Sequence, residues 1–174
     1  GFAGLPSAIL SAFGSAPLAQ QSHQPHFAGE YDNVIFCFID GFGWRHFEKF
    51  GSHPFLDRFA RSGQVAKLTS QFPSTTAAHV TCIHTGQNVG QSGIFEWIYY
   101  EPLLDAIIAP LLFSYSGTTE RDQLKKSALD PRQIYPAGTL YHQLKALGVA
   151  STIFQHREYT PSTYSNLVFD GAAA

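Results

Sequence analysis

Apolar runs alternate along the chain with segments of helical spacing and with turn residues. The strongest strand signal is residues 33–39 (NVIFCFI), a continuously apolar run rich in β-branched and aromatic side chains. Such a run is typical of a strand that is buried on both faces of a parallel sheet. Weaker strand signals follow at residues 65–68, 93–102 and 150–154. The pattern therefore predicts several strands, of which the first is the best defined.

Helical spacing fills most of the intervals between these runs. The predicted helices cover residues 44–50, 54–62, 77–84 and 140–147, with a further short packing helix within residues 5–18. Three of them end at glycines that can stop a helix, namely Gly63, Gly86 and Gly148.

Two segments are less decisive, but they do not change the fold class. Residues 105–116 fit either a helix or a strand, and residues 118–131 are charged enough to predict a solvated surface excursion. Strands that alternate with helices predict an α/β fold with a mostly parallel sheet flanked by helices.

Composition and charge narrow the classes of function. The 174 residues are 44% apolar and only 14% charged, with a net charge of −2. No basic stripe is evident, which argues against a nucleic-acid polymer as partner. No apolar run approaches the roughly 18 residues of a membrane span. Residues 16–19 imitate a signal-peptide cleavage site but no positive region precedes them, so the compartment is left unassigned.

Asp40 is the first candidate for chemistry, because it directly follows the predicted strand 33–39 and precedes Gly41 and Gly43. Open α/β sheets place their sites at the carboxyl ends of strands, where a rigidly held carboxylate can bind a metal ion. An equally good alternative is that Asp40 caps the helix that begins near Trp44.

The second candidate is the run of hydroxyls at Ser74, Thr75 and Thr76, which stands at the start of the predicted helix 77–84. The unpaired N–H groups and the dipole of a helix N-terminus favour an anion, so one hydroxyl there is a candidate nucleophile towards phosphate. The simpler alternative is an ordinary Ser/Thr cap of the helix.

Together these segments resemble the type I phosphodiesterase/nucleotide pyrophosphatase branch of the alkaline phosphatase superfamily. The shared pattern is an apolar strand ending in Asp-Gly, then Phe-Pro-x-x-Thr, a short helix and Thr-Gly. Ser-Gly-Ile at residues 92–94 corresponds to the family's His-Gly-Ile, and Tyr-Glu-Pro at residues 100–102 to its Tyr-Asp-Pro. Residues 140–154 resemble the family's helix-then-strand segment. The resemblance thus extends from about residue 33 to the C-terminus.

The resemblance implies a zinc-dependent phosphodiesterase or pyrophosphatase that acts on a small phosphorylated substrate, with nucleotides among the candidates. By it, Asp40 is a zinc ligand, and Thr76 is both a metal ligand and the nucleophile that forms a phosphothreonine. Spacing from Phe72-Pro73 and from Thr85-Gly86 agrees on Thr76. Two zinc ions are expected in the complete enzyme.

One substrate-contacting position departs from the family. Where members that act on nucleotides carry an Asn that contacts the phosphate, this chain has Trp97. Trp offers one N–H donor and a large stacking surface. A related phosphoesterase or a phosphonate-directed enzyme is therefore an equal alternative, and Trp97 and Phe72 are the predicted substrate-binding residues.

The remaining zinc ligands are not evident, because no Asp-x-x-x-His or Asp-His pair follows Thr76. His79, His84, His142 and His156 are expected to have packing or surface roles. We therefore expect residues 1–29 to be an N-terminal segment and residues 30–174 to be the N-terminal part of an alkaline phosphatase-like catalytic domain that is inactive alone. The alternative is a non-catalytic chain that keeps the fold for binding or assembly.

Overall fold

The computed structural model describes residues 1–15 and 31–173. Within them, the α-helices are α1 (Leu5–Ser11), α2 (Trp44–Phe50), α3 (Pro54–Ser62), α4 (Thr76–Thr85), α5 (Val89–Ser92), α6 (Leu140–Ala146) and α7 (Thr163–Val168). The strands are β1 (Tyr99–Glu101), β2 (Ala106–Ala109) and β3 (Ser114–Tyr115), and several single 3₁₀ turns connect these elements.

The helix predictions are confirmed almost residue by residue. The observed α2 and α3 have the predicted bounds, α4 is one residue longer at each end, and α6 is one residue shorter. The N-terminal helix is observed as α1, whereas residues 16–29 of the predicted N-terminal segment lie outside the described residues. Gly86 ends α4 in the left-handed conformation with φ +75°, which glycine adopts without steric cost.

The sheet is antiparallel, not parallel. Its three strands are adjacent in the order β1-β2-β3, with Tyr99 opposite Ile108 and Ala109 opposite Ser114. The ambiguous segment 105–116 therefore contains two strands joined by a 3₁₀ turn at Pro110–Leu112. The described residues thus combine helices with a small antiparallel sheet, and the expected parallel sheet is not observed in them.

Residues 33–39 do not form the strand predicted to be buried on both faces. Their side chains are largely exposed, with Ile35 90% and Ile39 65% accessible to solvent. A strand requires neighbours that pair with its backbone N–H and C=O groups, and no other described segment pairs with this one. Apolar composition indicates a tendency towards a strand, but it does not supply the partner.

The other strand predictions are also corrected. Residues 65–68 form no strand, and residues 150–154 make a single parallel bridge between Thr152 and Ala173. The strand-like run 93–102 contains only the three residues of β1. The charged segment 118–131 is less solvated than expected, because its 3₁₀ turn Gln123–Lys126 buries Leu124 completely.

The core forms around α4. This helix contacts α1, α5, α6 and α7, and small or compact side chains such as Ala77, Ala78 and Cys82 let these neighbours approach closely. Apolar side chains from the later part of the chain complete the core, namely Ile94, Ile108, Phe113, Leu124, Leu140 and Val168.

The last described residues also pack against this core. Ser162 caps α7, and Tyr164 on that helix shares a 3.0 Å hydrogen bond with Thr81 of α4. Beyond α7, the Ile153 amide donates to the Ala173 carbonyl over 2.7 Å. None of the helices in residues 1–15 and 31–173 is long and apolar enough to cross a membrane.

His84 on α4 makes the stability of this core depend on pH. Its Nδ1 lies 2.5 Å from the Tyr141 hydroxyl, its ring packs edge-on against Phe169, and burial lowers its pKa from 6.5 to about 4. The unfolded chain therefore binds a proton between pH 6.5 and pH 4 that the folded chain does not bind. The stability present above pH 6.5 falls as the pH is lowered through this window, by at most about 3 kcal/mol.

We expect the wild-type melting temperature to fall between pH 7 and pH 4.5 more steeply than that of His84→Leu, as measured by circular dichroism. His46→Gln is the matched control and should keep the wild-type slope, since His46 is exposed on α2 and its ring contacts only Phe42 among the described aromatic side chains. Equal slopes in wild type and His84→Leu would contradict the assignment.

Candidate active site

Asp40 lies in the turn that joins residues 33–39 to α2. Gly41 adopts φ +71°, a conformation that side-chain-bearing residues rarely take, and the turn directs the chain into α2. The residue that caps α2 is Gly43, with no side-chain hydrogen bond at the cap. The capping alternative for Asp40 is therefore not observed, and its carboxylate points elsewhere.

The three hydroxyls at the start of α4 have different roles. Thr75 is the capping residue: its Oγ1 accepts from the Ala78 amide at 3.3 Å and donates to the Phe95 carbonyl at 2.8 Å. The Thr75 hydroxyl thus acts as both acceptor and donor in hydrogen bonds that hold the fold. The capping interpretation holds for Thr75, and Thr76 remains as the first helical residue.

Thr76 and Asp40 lie in contact although they are far apart in sequence. The Thr76 hydroxyl donates a hydrogen bond to Oδ2 of Asp40 over 3.2 Å, and the contact is exposed to solvent. The structure therefore brings together the two residues that the sequence singled out as nucleophile and metal ligand.

These two residues line a cavity of about 550 Å³. Much of its wall is apolar, with side chains from Phe2, Phe38, Ile39, Phe42, Trp44 and Phe47. The polar part of the wall is formed by seven residues, namely Asp40, Thr69, Ser70, Ser74, Thr75, Thr76 and His79. Of the described residues, no lysine or arginine lines it.

The loop before α4 is held by Gln71, which the sequence did not single out. The Gln71 side chain donates to the Ala78 carbonyl at 3.0 Å and accepts from the Val89 amide at 3.0 Å. Its backbone amide donates to Nε2 of His79 at 3.2 Å. A lone Gln before Phe-Pro gives no signal of this role, because the three partners come together only in the fold.

The remaining candidate ligands lie apart from Asp40 and Thr76. His84 is partly buried and packs against Tyr141, Nε2 of His142 lies 3.3 Å from Oδ2 of Asp170, and His156 caps a 3₁₀ turn. The packing and surface roles expected for these histidines are consistent with those contacts.

Asp40 and Thr76 offer two neighbouring oxygen atoms, fewer than the four ligands that zinc usually takes. Oxygen ligands lie about 2.0–2.2 Å from zinc, which separates two ligands of one tetrahedral ion by about 3.3–3.6 Å. The separation of 3.2 Å between Oδ2 and Oγ1 is slightly shorter, as the hydrogen bond between them requires. No group of three or more His, Cys, Asp or Glu side chains that could hold a metal ion occurs in residues 1–15 and 31–173.

The two predicted substrate-binding residues are placed differently. Phe72 is 92% exposed and lines a separate cavity of about 350 Å³ that shares Phe2, Thr69 and Ser70 with the larger one. Trp97 is 45% exposed and lines neither cavity. It lies two residues after Phe95, whose carbonyl is bonded to Thr75.

A comparison with known families covers the segment that carries this site. Residues 34–116 match the family model described as Type I phosphodiesterase / nucleotide pyrophosphatase, which includes Asp40, Thr76 and the three strands. The match confirms the predicted resemblance and is consistent with an N-terminal part of that family. No curated protein and no solved structure matches the chain.

By its description, that family comprises phosphodiesterases and nucleotide pyrophosphatases, which act on phosphoesters. It ends at residue 116, so the predicted resemblance of residues 140–154 remains a prediction.

The different roles of the two threonines can be measured as stability. Thr75→Ala removes the cap and should lower the free energy of unfolding by about 1–2 kcal/mol, whereas Thr76→Ala removes one exposed bond and should change it by less than about 0.5 kcal/mol. Urea denaturation measures both. Thr75→Ser is the control that should restore most of the loss, and a larger loss in Thr76→Ala than in Thr75→Ala would contradict the assignment.

Proposed function

We propose that this protein hydrolyses phosphodiesters or pyrophosphates in two steps, with the Thr76 hydroxyl as nucleophile and a phosphothreonine as intermediate. The observation that carries the proposal is the 3.2 Å hydrogen bond from Thr76 to Asp40 at the start of α4. It is supported by the match of residues 34–116 to a family of phosphodiesterases and nucleotide pyrophosphatases.

The position of Thr76 at the start of α4 suits attack on phosphorus. Amides in the first turn of a helix lack intrahelical partners, and the helix dipole adds partial positive charge there. Thr75 takes up the Ala78 amide, and the amides of Thr76 and Ala77 have no partner among the described residues. A phosphoryl group at the helix start would meet both the nucleophile and these donors.

In the first step, Oγ1 of Thr76 bonds to phosphorus, and the bond from phosphorus to the leaving ester oxygen breaks. Asp40 orients the hydroxyl, accepts its proton and returns that proton to the leaving oxygen, which departs as an alcohol or phosphate. In the second step, a water oxygen bonds to phosphorus as the bond from phosphorus to Oγ1 breaks. A proton of that water passes to Oγ1, which restores the threonine hydroxyl, and the phosphoryl product leaves. Zinc, when held by Asp40 and Thr76, supplies positive charge that lowers the pKa of the hydroxyl and screens the phosphoryl oxygens.

The wall of the cavity favours a phosphodiester with an apolar or aromatic ester group. Five aromatic side chains line it, while none of the described lysines or arginines does so. A diester carries one negative charge and a second organic substituent that can pack on the aromatic wall. A simple phosphate monoester lacks that second substituent.

Activity of the full chain as the cell produces it tests the nucleophile. Thr76→Ala should lower kcat/KM for bis(p-nitrophenyl) phosphate by at least about 100-fold, since the group that bonds to phosphorus is lost. Ser74→Ala is the matched control, because Ser74 lines the same cavity and makes no bond to Asp40; its kcat/KM should stay within about threefold of wild type.

Acid quenching during turnover of bis(p-nitrophenyl) phosphate should trap a p-nitrophenyl-phosphoryl group on residue 76, identified by mass spectrometry. Full activity in Thr76→Ala would refute the proposal. If wild type binds the diester without turnover, the non-catalytic alternative is the better explanation.

Zinc binding tests the role of Asp40 independently of turnover. Asp40→Asn removes the negative charge of the proposed ligand and should weaken zinc binding at least about 10-fold, as measured by equilibrium dialysis. Loss of a residue that only hydrogen-bonds to a metal ligand already costs about that much in affinity. Asp105→Asn is the control, because Asp105 bonds Tyr100 at the surface and should leave zinc affinity unchanged. Equal zinc affinity in wild type and Asp40→Asn would remove Asp40 from the proposed site.

A further inference from the structure

Both ring nitrogens of His79 are bonded to the backbone on either side of the loop that leads into α4. Nδ1 lies 2.7 Å from the Thr75 carbonyl oxygen, and Nε2 lies 3.2 Å from the Gln71 amide nitrogen. A carbonyl only accepts and an amide only donates, so Nδ1 carries the proton and Nε2 is the acceptor. One neutral tautomer satisfies both bonds, and no ring lone pair remains for a metal ion or for proton transfer.

These bonds immobilise the residue next to the nucleophile. The Thr75 carbonyl accepts from the ring and also from the His79 backbone amide at 3.2 Å, while the Thr75 hydroxyl is held by Ala78 and Phe95. The Phe2 ring packs edge-on against the imidazole, with centroids 4.3 Å apart. The backbone orientation at Thr75 therefore depends on His79.

The geometry points to His79 as a positioning residue that holds the Thr76 hydroxyl against Asp40, an inference that rests on the proposed function. His79 acts through Thr75 and Gln71 and does not touch the reacting atoms. Without its two bonds, the loop 71–75 gains freedom at both ends, and Oγ1 of Thr76 loses its fixed position. A misplacement of about 1 Å at a reacting group can cost about 100-fold in rate.

Three substitutions of His79 test its two ring hydrogen bonds separately. His79→Phe keeps a ring and removes both bonds. His79→Gln places an acceptor near the position of Nε2, and His79→Asn places a donor near the position of Nδ1. We expect kcat for bis(p-nitrophenyl) phosphate to fall about 10- to 100-fold in His79→Phe, with KM within about threefold of wild type, and to recover partly in each polar variant.

Hydrogen exchange gives a readout that does not depend on activity. The Gln71 amide should be protected in wild type, exchange faster in His79→Phe and regain protection in His79→Gln but not in His79→Asn. His142→Phe is the matched control, since His142 lies on α6 and pairs with Asp170, so it should change neither kcat nor the exchange of Gln71. Exchange and kcat in His79→Phe equal to wild type would overturn the inference.

The outcomes also separate this inference from the proposed function. If wild type turns over the diester and Thr76→Ala does not, but His79→Phe keeps the wild-type kcat, only the role of His79 is refuted. If Thr76→Ala retains full activity, the proposed function fails whatever the His79 variants do. Should His79→Phe fail to fold, His79→Gln and His79→Asn decide, because a positioning role requires kcat to fall in both at nearly unchanged KM.

Discussion

The enclosure of α4 by other helices is the constraint on which the site depends. The helix is wrapped by α1, α5, α6 and α7, and its buried positions carry Ala, Cys and Thr, so it can neither rotate nor slide without opening cavities. Its first turn is consequently fixed at the cavity wall, where Thr75 caps the helix and Thr76 is the first helical residue. Thr76 thus owes its position to the start of a buried helix, whereas Asp40 is placed by the turn that joins residues 33–39 to α2.

The sequence predictions are accurate where neighbouring residues determine the structure and inaccurate where residues distant in sequence determine it. Helices α2, α3 and α4 are specified by local signals, such as Pro54 at a first helical position and Gly86 after a last one, and local signals can be read from one chain. Strands are specified by pairing. Residues 33–39 have the composition of a buried strand and yet find no partner among residues 1–15 and 31–173, whereas the less distinctive residues 106–109 pair on both sides. Apolar composition therefore misled where a distant partner decides the structure.

The same distinction applies to the site. Asp40 and Thr76 could be selected from sequence because Asp40 directly follows the apolar run 33–39 and Thr76 stands at the start of a predicted helix. Sites often form where strands end, and helix N-termini bind anions. The residues that hold the loop before α4 could not be selected from sequence, since Gln71 bonds to Ala78 and Val89 only after the chain has folded. Phe72 was chosen for its place in a motif, but its exposed ring lines the neighbouring cavity.

The placement of the two tryptophans gives the molecule an internal optical probe. Trp44 forms part of the wall of the larger cavity and donates to Glu48 at 2.6 Å, whereas Trp97 stands outside both cavities. An indole in the wall changes its emission when an aromatic ester replaces water beside it, while an indole outside the wall retains its own. Fluorescence of a chain that keeps only Trp44 would thus report occupancy of the cavity directly, even with a compound that is never cleaved.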